Sequence, residues 1–248
     1  MAINNKKITD IVGENYVFAS VLYYFGIRFY DYSEKTLEQV CEEKGLNIQT
    51  VITSLESVCE EKENMDITLF SYPIDLIIEY LKHTHYIFIK QKLPYIARLV
   101  ETLKPTPGND QLVEDLKFVF PLFVEDFIHH IYEEEDSLFR YITLLRNALH
   151  QPFNPSKLFY EMENFSLQEH AIAHSHHDDE MKGIRSITNN YTLPAGKNLH
   201  LKVVYEELKA FEKQLVSHAC IENEILFPKA LVLEKEVKKA FNEKIKLN

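Results

Sequence analysis

The 248-residue chain is long enough for one good-sized domain with a small companion, and its six glycines and nine prolines are too few turn-formers for a many-stranded sandwich or barrel. Its 46% hydrophobic and 26% charged residues exclude a mostly disordered chain, so an all-α fold with a real core is the first expectation. A formal net charge of −11 argues against an extended phosphate-binding surface, and nucleic acid is not an expected partner.

Residues 7–61 read as a compact helical unit. An apolar stretch from Ile8 to Phe25 is closed by Gly26, a short helix opens at Ser33-Glu34-Lys35-Thr36 and ends at Gly45, and a third helix starts from about Asn47. Residues 62–73 lose the helical period and finish on Pro73, which disfavours helix for the residue before it. The expected organisation is therefore a small helical domain over 1–62, a linker over 63–73 and a larger domain over 74–248. In the larger part four segments carry a helical period, 74–104, 110–150, 156–190 and 197–220, the last able to continue to 245. Pro105-Thr106-Pro107-Gly108-Asn109, then Pro152 and Pro155, then Pro194-Ala195-Gly196 separate them, and four such helices with short connections pack most simply as an antiparallel four-helix bundle.

Cys41, Cys59 and Cys220 are widely spaced, which fits idle thiols in a reducing compartment rather than a disulfide framework. The N-terminus lacks an apolar signal core and no run of 18 uncharged apolar residues occurs, so a cytoplasmic chain with no membrane partner is expected.

The unusual component is histidine, with 11 copies beside 38 acidic residues, a pairing that suits a metal site built from nitrogen and oxygen donors. His130-x₃-Glu134-x₃-Leu138-Phe139 recurs 88 positions later as His218-x₃-Glu222-x₃-Leu226-Phe227, which relates the second bundle helix to the fourth. On a helix, residues four apart share a face, so each pair presents an imidazole and a carboxylate to one point. Two such pairs facing each other inside a bundle are the arrangement of di-iron carboxylate sites, in which carboxylates bridge two metals. The third helix adds His170, His174 and His177 on one stripe, with His174 lying 44 positions before His218. The same step back from His130 lands on Tyr86, with His85 one residue away and His83 three. His85 is the choice for the first-helix ligand, a π-bulge being able to absorb one residue of displacement; Tyr86 as phenolate or gate, His83, and no ligand at all stay open. Glu133, Glu135 and Asp136 read as a solvated acidic run, Asp178, Asp179 and Glu180 as a solvated acidic turn with acceptors for ring N–H groups as the alternative, His129 as outside the site, and His150 and His200 as surface histidines near helix ends.

At these residues the sequence resembles the RIC (repair of iron centres) family, whose second domain is a hemerythrin-like HHE four-helix bundle with a di-iron centre. The resemblance rests on the HxxxExxxLF repeat, Leu93-Pro94, Thr188-Asn189-Asn190-Tyr191-Thr192 and Glu222-Asn223-x₂-Leu226-Phe227-Pro228-x-Ala230. In the first domain, of a divergent ScdA type, it rests on Val12-Gly13, Gly26 and Lys35-Thr36-Leu37-x₃-Cys41-x₂-Lys44-Gly45-Leu46. The resemblance implies two iron ions held by His130, Glu134, His174, His218 and Glu222, with the glutamates as bridges, and it too puts the first-helix histidine at Tyr86. It departs from the family where Tyr30-Asp31-Tyr32-Ser33 stands in place of adjacent cysteines and glycines, and at Ile172-Ala173, where relatives usually place a glutamate. The implied function is repair of iron–sulfur clusters under nitrosative or oxidative stress, with NO and O₂ as small-molecule ligands, damaged iron–sulfur proteins as partners, and a homodimer left open. The alternatives are a hemerythrin-like sensor or carrier of O₂, NO or iron without turnover, and an adaptor with a decayed site.

Overall fold

A computed structural model describes residues 3–60, 67–106, 108–152, 154–177, 179–193 and 198–246. Every extended element among them is helical, and the one strand-like pairing is an isolated bridge between Lys7 and Thr36. The all-α expectation holds. The backbone groups into two compact units: Met1–Met65 with Pro94–Phe118 and Arg185–Phe211, and Asp66–Leu93 with Val119–Ile184 and Glu212–Asn248. Of the linker read over 63–73, residues 63–66 lie outside the described residues, and Ile67–Ser71 form a short 3₁₀ turn.

The first unit shows why its helices start and stop where they do. The apolar stretch 8–25 is two helices, α1 (Ile8–Glu14) and α2 (Val17–Tyr24), because the Asn15 side chain accepts a hydrogen bond from the Val17 amide at 3.1 Å and turns the chain. Gly26 ends α2 at φ 72°, as read from the sequence. Helix α3 (Leu37–Lys44) begins on a reciprocal cap, with Thr36 accepting from the Gln39 amide and Gln39 from the Thr36 amide, and ends on left-handed Gly45. Asn47 caps α4 (Ile48–Glu60).

Three of the long helical segments are each interrupted by one widened turn. Helix α5 (Ile74–Ile87) passes through a π turn (Phe88–Lys92) into α6 (Leu93–Thr102). Helix α7 (Asp110–Glu134) continues through a π turn (Glu135–Phe139) into α8 (Arg140–His150). Helix α12 (Leu199–Ile221) does the same through Glu222–Leu226 into α13 (Phe227–Lys246). Pro94 and Pro228 each follow a π turn by two residues, where a wider turn makes room for a ring that has no N–H to donate. The repeated pairs Leu138-Phe139 and Leu226-Phe227 are all buried in the core of this unit, with Ile77, Leu81, Ile142 and Leu145. The repeat therefore marks packing as well as donors.

The third rod, expected over 156–190, is instead three helices: α9 (Pro155–Asn164), α10 (Leu167–His177) and α11 (Lys182–Ile187). Phe165 is extended and the Ser166 hydroxyl accepts from the Glu169 amide at 3.2 Å, so a new helix is capped there. After α11, Asn189, Asn190 and Tyr191 adopt successive positive φ values of 48°, 52° and 56°. Thr188 holds this turn by accepting from the Tyr191 amide, and the Tyr191 ring packs edge-on to Tyr205. Among the described residues no helix is long and apolar enough to cross a membrane.

His200 corrects a surface assignment. Its ring stacks on Tyr30 with centroids 4.7 Å apart, and Nε2 donates to the Leu99 carbonyl at 3.0 Å. Burial pushes its pKa from 6.5 down to about 4 against the opposing pull of that carbonyl. A histidine depressed in the folded state gives stability that is full above its unfolded value and is lost as pH falls from 6.5 towards 4. Urea titrations should therefore show the wild type losing up to about 3 kcal/mol relative to His200→Gln across that interval. An unchanged difference would refute the assignment.

Candidate metal centre

Helices α5, α7 and α12 bring His85, Glu134, His218 and Glu222 together, all buried, with one donor atom from each within 4.8 Å of the others. Nε2 of His85 lies 2.9 Å from Nε2 of His218 and 3.4 Å from Oε2 of Glu134. Glu222 faces two ways: Oε1 is 3.0 Å from Nε2 of His218, and Oε2 is 3.1 Å from Nε2 of His174 on α10. His130, one turn before Glu134, places its ring centroid 6.1 Å from that of His174. All six residues singled out in the sequence thus converge on one place. Of the first-helix alternatives, His85 is 2% exposed and turned into the cluster, whereas Tyr86 is 56% exposed and His83 is also exposed. Aromatic rings wall the imidazoles, with Phe139 stacked on His85, Phe88 against His218 and Phe227 against His174.

The π turns lie beside the donors. One begins three residues after His85, one immediately after Glu134, and one on Glu222 itself. A π turn rotates successive side chains by less than an α-helix does, which keeps neighbouring residues closer to one face. This explains Glu135, which the sequence places in a solvated run but which accepts a hydrogen bond from Nδ1–H of His85 at 2.8 Å. Asn223 accepts from Nδ1 of His174 at 3.2 Å, so two of the imidazoles are oriented from behind. Glu180, read as part of a solvated turn, approaches Nε2 of His130 at 3.7 Å. His129 is exposed beside Glu133, as expected. Asp178 and the side chain of His177 lie outside the described residues.

The electrostatics fit a cation. Burial, then the charge of Glu222, pushes the Glu134 carboxyl well above the usual range. Burial also pushes Glu222 up, but His218 and hydrogen bonds from Glu134, His174 and His218 outweigh it and hold Glu222 well below. Two buried carboxylates in contact need positive charge between them, which one proton supplies partly and a divalent cation fully. Burial and the neighbouring His218 push His85 down to about 3, so the ring is neutral. With its Nδ1–H committed to Glu135, it carries a lone pair on Nε2, facing His218. Either His218 donates across that gap and leaves its own buried Nδ1 bare, or two lone pairs oppose each other. Nδ1 of His218 and Oε1 of Glu134 have no hydrogen-bond partner. A cation seated among these donors removes the conflict, and imidazole with carboxylate suits iron, zinc, copper or manganese.

A cavity of about 820 Å³ opens beside His130 and His174, lined also by the apolar Phe123, Phe127 and Phe165 and by the polar Asp126, Glu169, His170 and Glu180.

A helical bundle with paired His-x₃-Glu motifs meeting in its interior defines the class: the chain belongs to the hemerythrin HHE cation-binding domain family, whose profile matches residues 76–230. Among individual proteins it is similar to a probable iron–sulfur cluster repair protein of Haemophilus influenzae, 26% identical over 205 residues that cover 79% of this chain and 82% of the relative. It is also similar to the iron–sulfur cluster repair protein YtfE of Yersinia pseudotuberculosis, 22% identical over 199 residues, 80% of this chain and 84% of that one. Both relatives support the resemblance to the RIC family read from the sequence.

Glu135→Gln keeps the shape but weakens the acceptor behind His85. Metal affinity should fall by roughly 10- to 100-fold, measured by competition with a chelator, and an unaltered affinity would refute the positioning role.

Proposed function

We propose that the chain holds two iron ions in a carboxylate-bridged centre and acts in the repair of iron–sulfur centres damaged by nitric oxide or oxidants. The observation that carries this reading is Glu222, whose two oxygens face His218 and His174 separately. His85 and His218 would hold one ion and His130 and His174 the other, with Glu134 and Glu222 available to both. Iron bound here supplies one-electron chemistry and, with an open coordination position, a place for nitric oxide or oxygen. Glu135 keeps the proton on Nδ1 of His85, so that Nε2 presents its lone pair to the interior. Asn223 does the same for His174. The rings of Phe88, Phe139 and Phe227 pack against the imidazoles, and those of Phe88 and Phe139 keep water from His218 and His85. The relatives named for iron–sulfur cluster repair support the biological direction.

The test is one anaerobic preparation analysed for iron per chain, with optical spectra before and after oxidation. Two irons with oxo-bridged ferric bands support the reading, and a protein that takes up no iron overturns it. A second reading, binding of NO, O₂ or iron without turnover, is favoured by Tyr30 and Asp31, which stand where the resemblance to the RIC family implies adjacent cysteines. Catalytic consumption of nitric oxide or recovery of a damaged cluster enzyme selects the first reading, and stoichiometric binding alone selects the second.

A further inference from the structure

We infer that the two halves of the centre exchange metal unequally: a divalent cation enters and leaves through the cavity at His130 and His174, while the His85/His218 position is sealed. The inference rests on the two-metal reading above and adds which half is labile. His130 has a side chain 42% exposed, against 2% for His85. His130 and His174 line the cavity, and His85, Glu134, His218 and Glu222 do not.

Helical spacing supplies the rest of the route. Asp126 stands four residues before His130 on α7, and His170 four residues before His174 on α10, so each cavity-facing imidazole has another donor one turn away on the same helix face. Glu180 approaches His130 at 3.7 Å, and Glu169 adds a third carboxylate to the wall. No lysine or arginine occurs among the described lining residues, so the cavity attracts cations. A metal leaving the His130/His174 position can trade donors stepwise for these groups and water. A metal leaving the His85/His218 position would strand buried carboxylates and imidazoles with nothing to replace it, which is costly.

The experiment loads the full chain anaerobically with ferrous iron, removes the excess, counts iron per chain, and then follows release to an excess of a colorimetric ferrous chelator. We expect release in two equal phases, the slow one at least about tenfold slower, a difference of about 1.4 kcal/mol in barrier. His130→Ala should retain one iron and lose the fast phase. Leu122→Trp, at a half-exposed apolar position of the cavity wall, and Glu180→Gln should each slow the fast phase severalfold and leave the slow one unchanged. Release of both irons in one phase, a fast phase that survives in His130→Ala, or a fast rate untouched by both wall variants overturns the inference and leaves the two-metal reading standing. Fewer than two irons before chelator is added overturns the two-metal reading itself.

Discussion

The double variant Glu134→Ala/Glu222→Ala should purify without iron and yet fold. Its affinity for iron should fall by well over 100-fold, since loss of a group behind a ligand alone costs about 10- to 100-fold and here both shared carboxylates are gone. The fold should survive because the two carboxylates are a burden on the metal-free protein: both are buried, they touch, and Oε1 of Glu134 has no hydrogen-bond partner. Two like charges repel, and a buried carboxylate short of partners is costly, so each one removed relieves the metal-free protein. Either single variant should therefore be less stable than the double variant in the metal-free form. Metal analysis and urea unfolding on the same three samples check both halves, and iron retained by the double variant would refute the assignment of these residues.

Phe139→Ala should be the most damaging single core substitution near the site. The side chain is fully buried at the end of the π turn Glu135–Phe139, and its ring lies parallel to His85, with centroids 5.7 Å apart and 5° between planes. Truncating a buried phenylalanine costs about 3–5 kcal/mol, for a chain of this size a fall in melting temperature of roughly 10 °C. The same change removes one wall of the His85 site, so metal retention should fall with stability. Phe139→Leu, which refills most of the space, should recover much of both. A loss below about 1 kcal/mol would show that the core closes over the gap.

The helix ends at Gly26, Gly45 and Thr36 were legible because each depends on a local residue type with one backbone role. The site was legible because the His-x₃-Glu motif repeats with its Leu-Phe pair, and the same periodicity that aligns the donors buries the apolar partners. Glu135 was not, because an acidic run looks the same on either side of a widened turn, and hydrophobic periodicity does not register one added residue in a turn. The break of the third helix could have been read from Ser166 and Glu169, which are spaced as a helix start within an otherwise continuous pattern. His200 gave no signal, since its partners Tyr30 and Leu99 are remote in sequence.

The left-handed turn at Asn189, Asn190 and Tyr191 has an energetic consequence for the chain that carries it. An L-residue in that conformation costs about 1–2 kcal/mol, least for the asparagines, whose short polar side chains tolerate it, and most for Tyr191. The packing of Tyr191 on Tyr205 and the Thr188 cap must offset this locally. Folding here therefore depends on side-chain contacts that hold the backbone against its own preference, so loss of the Thr188 hydroxyl or the Tyr191 ring would release the turn.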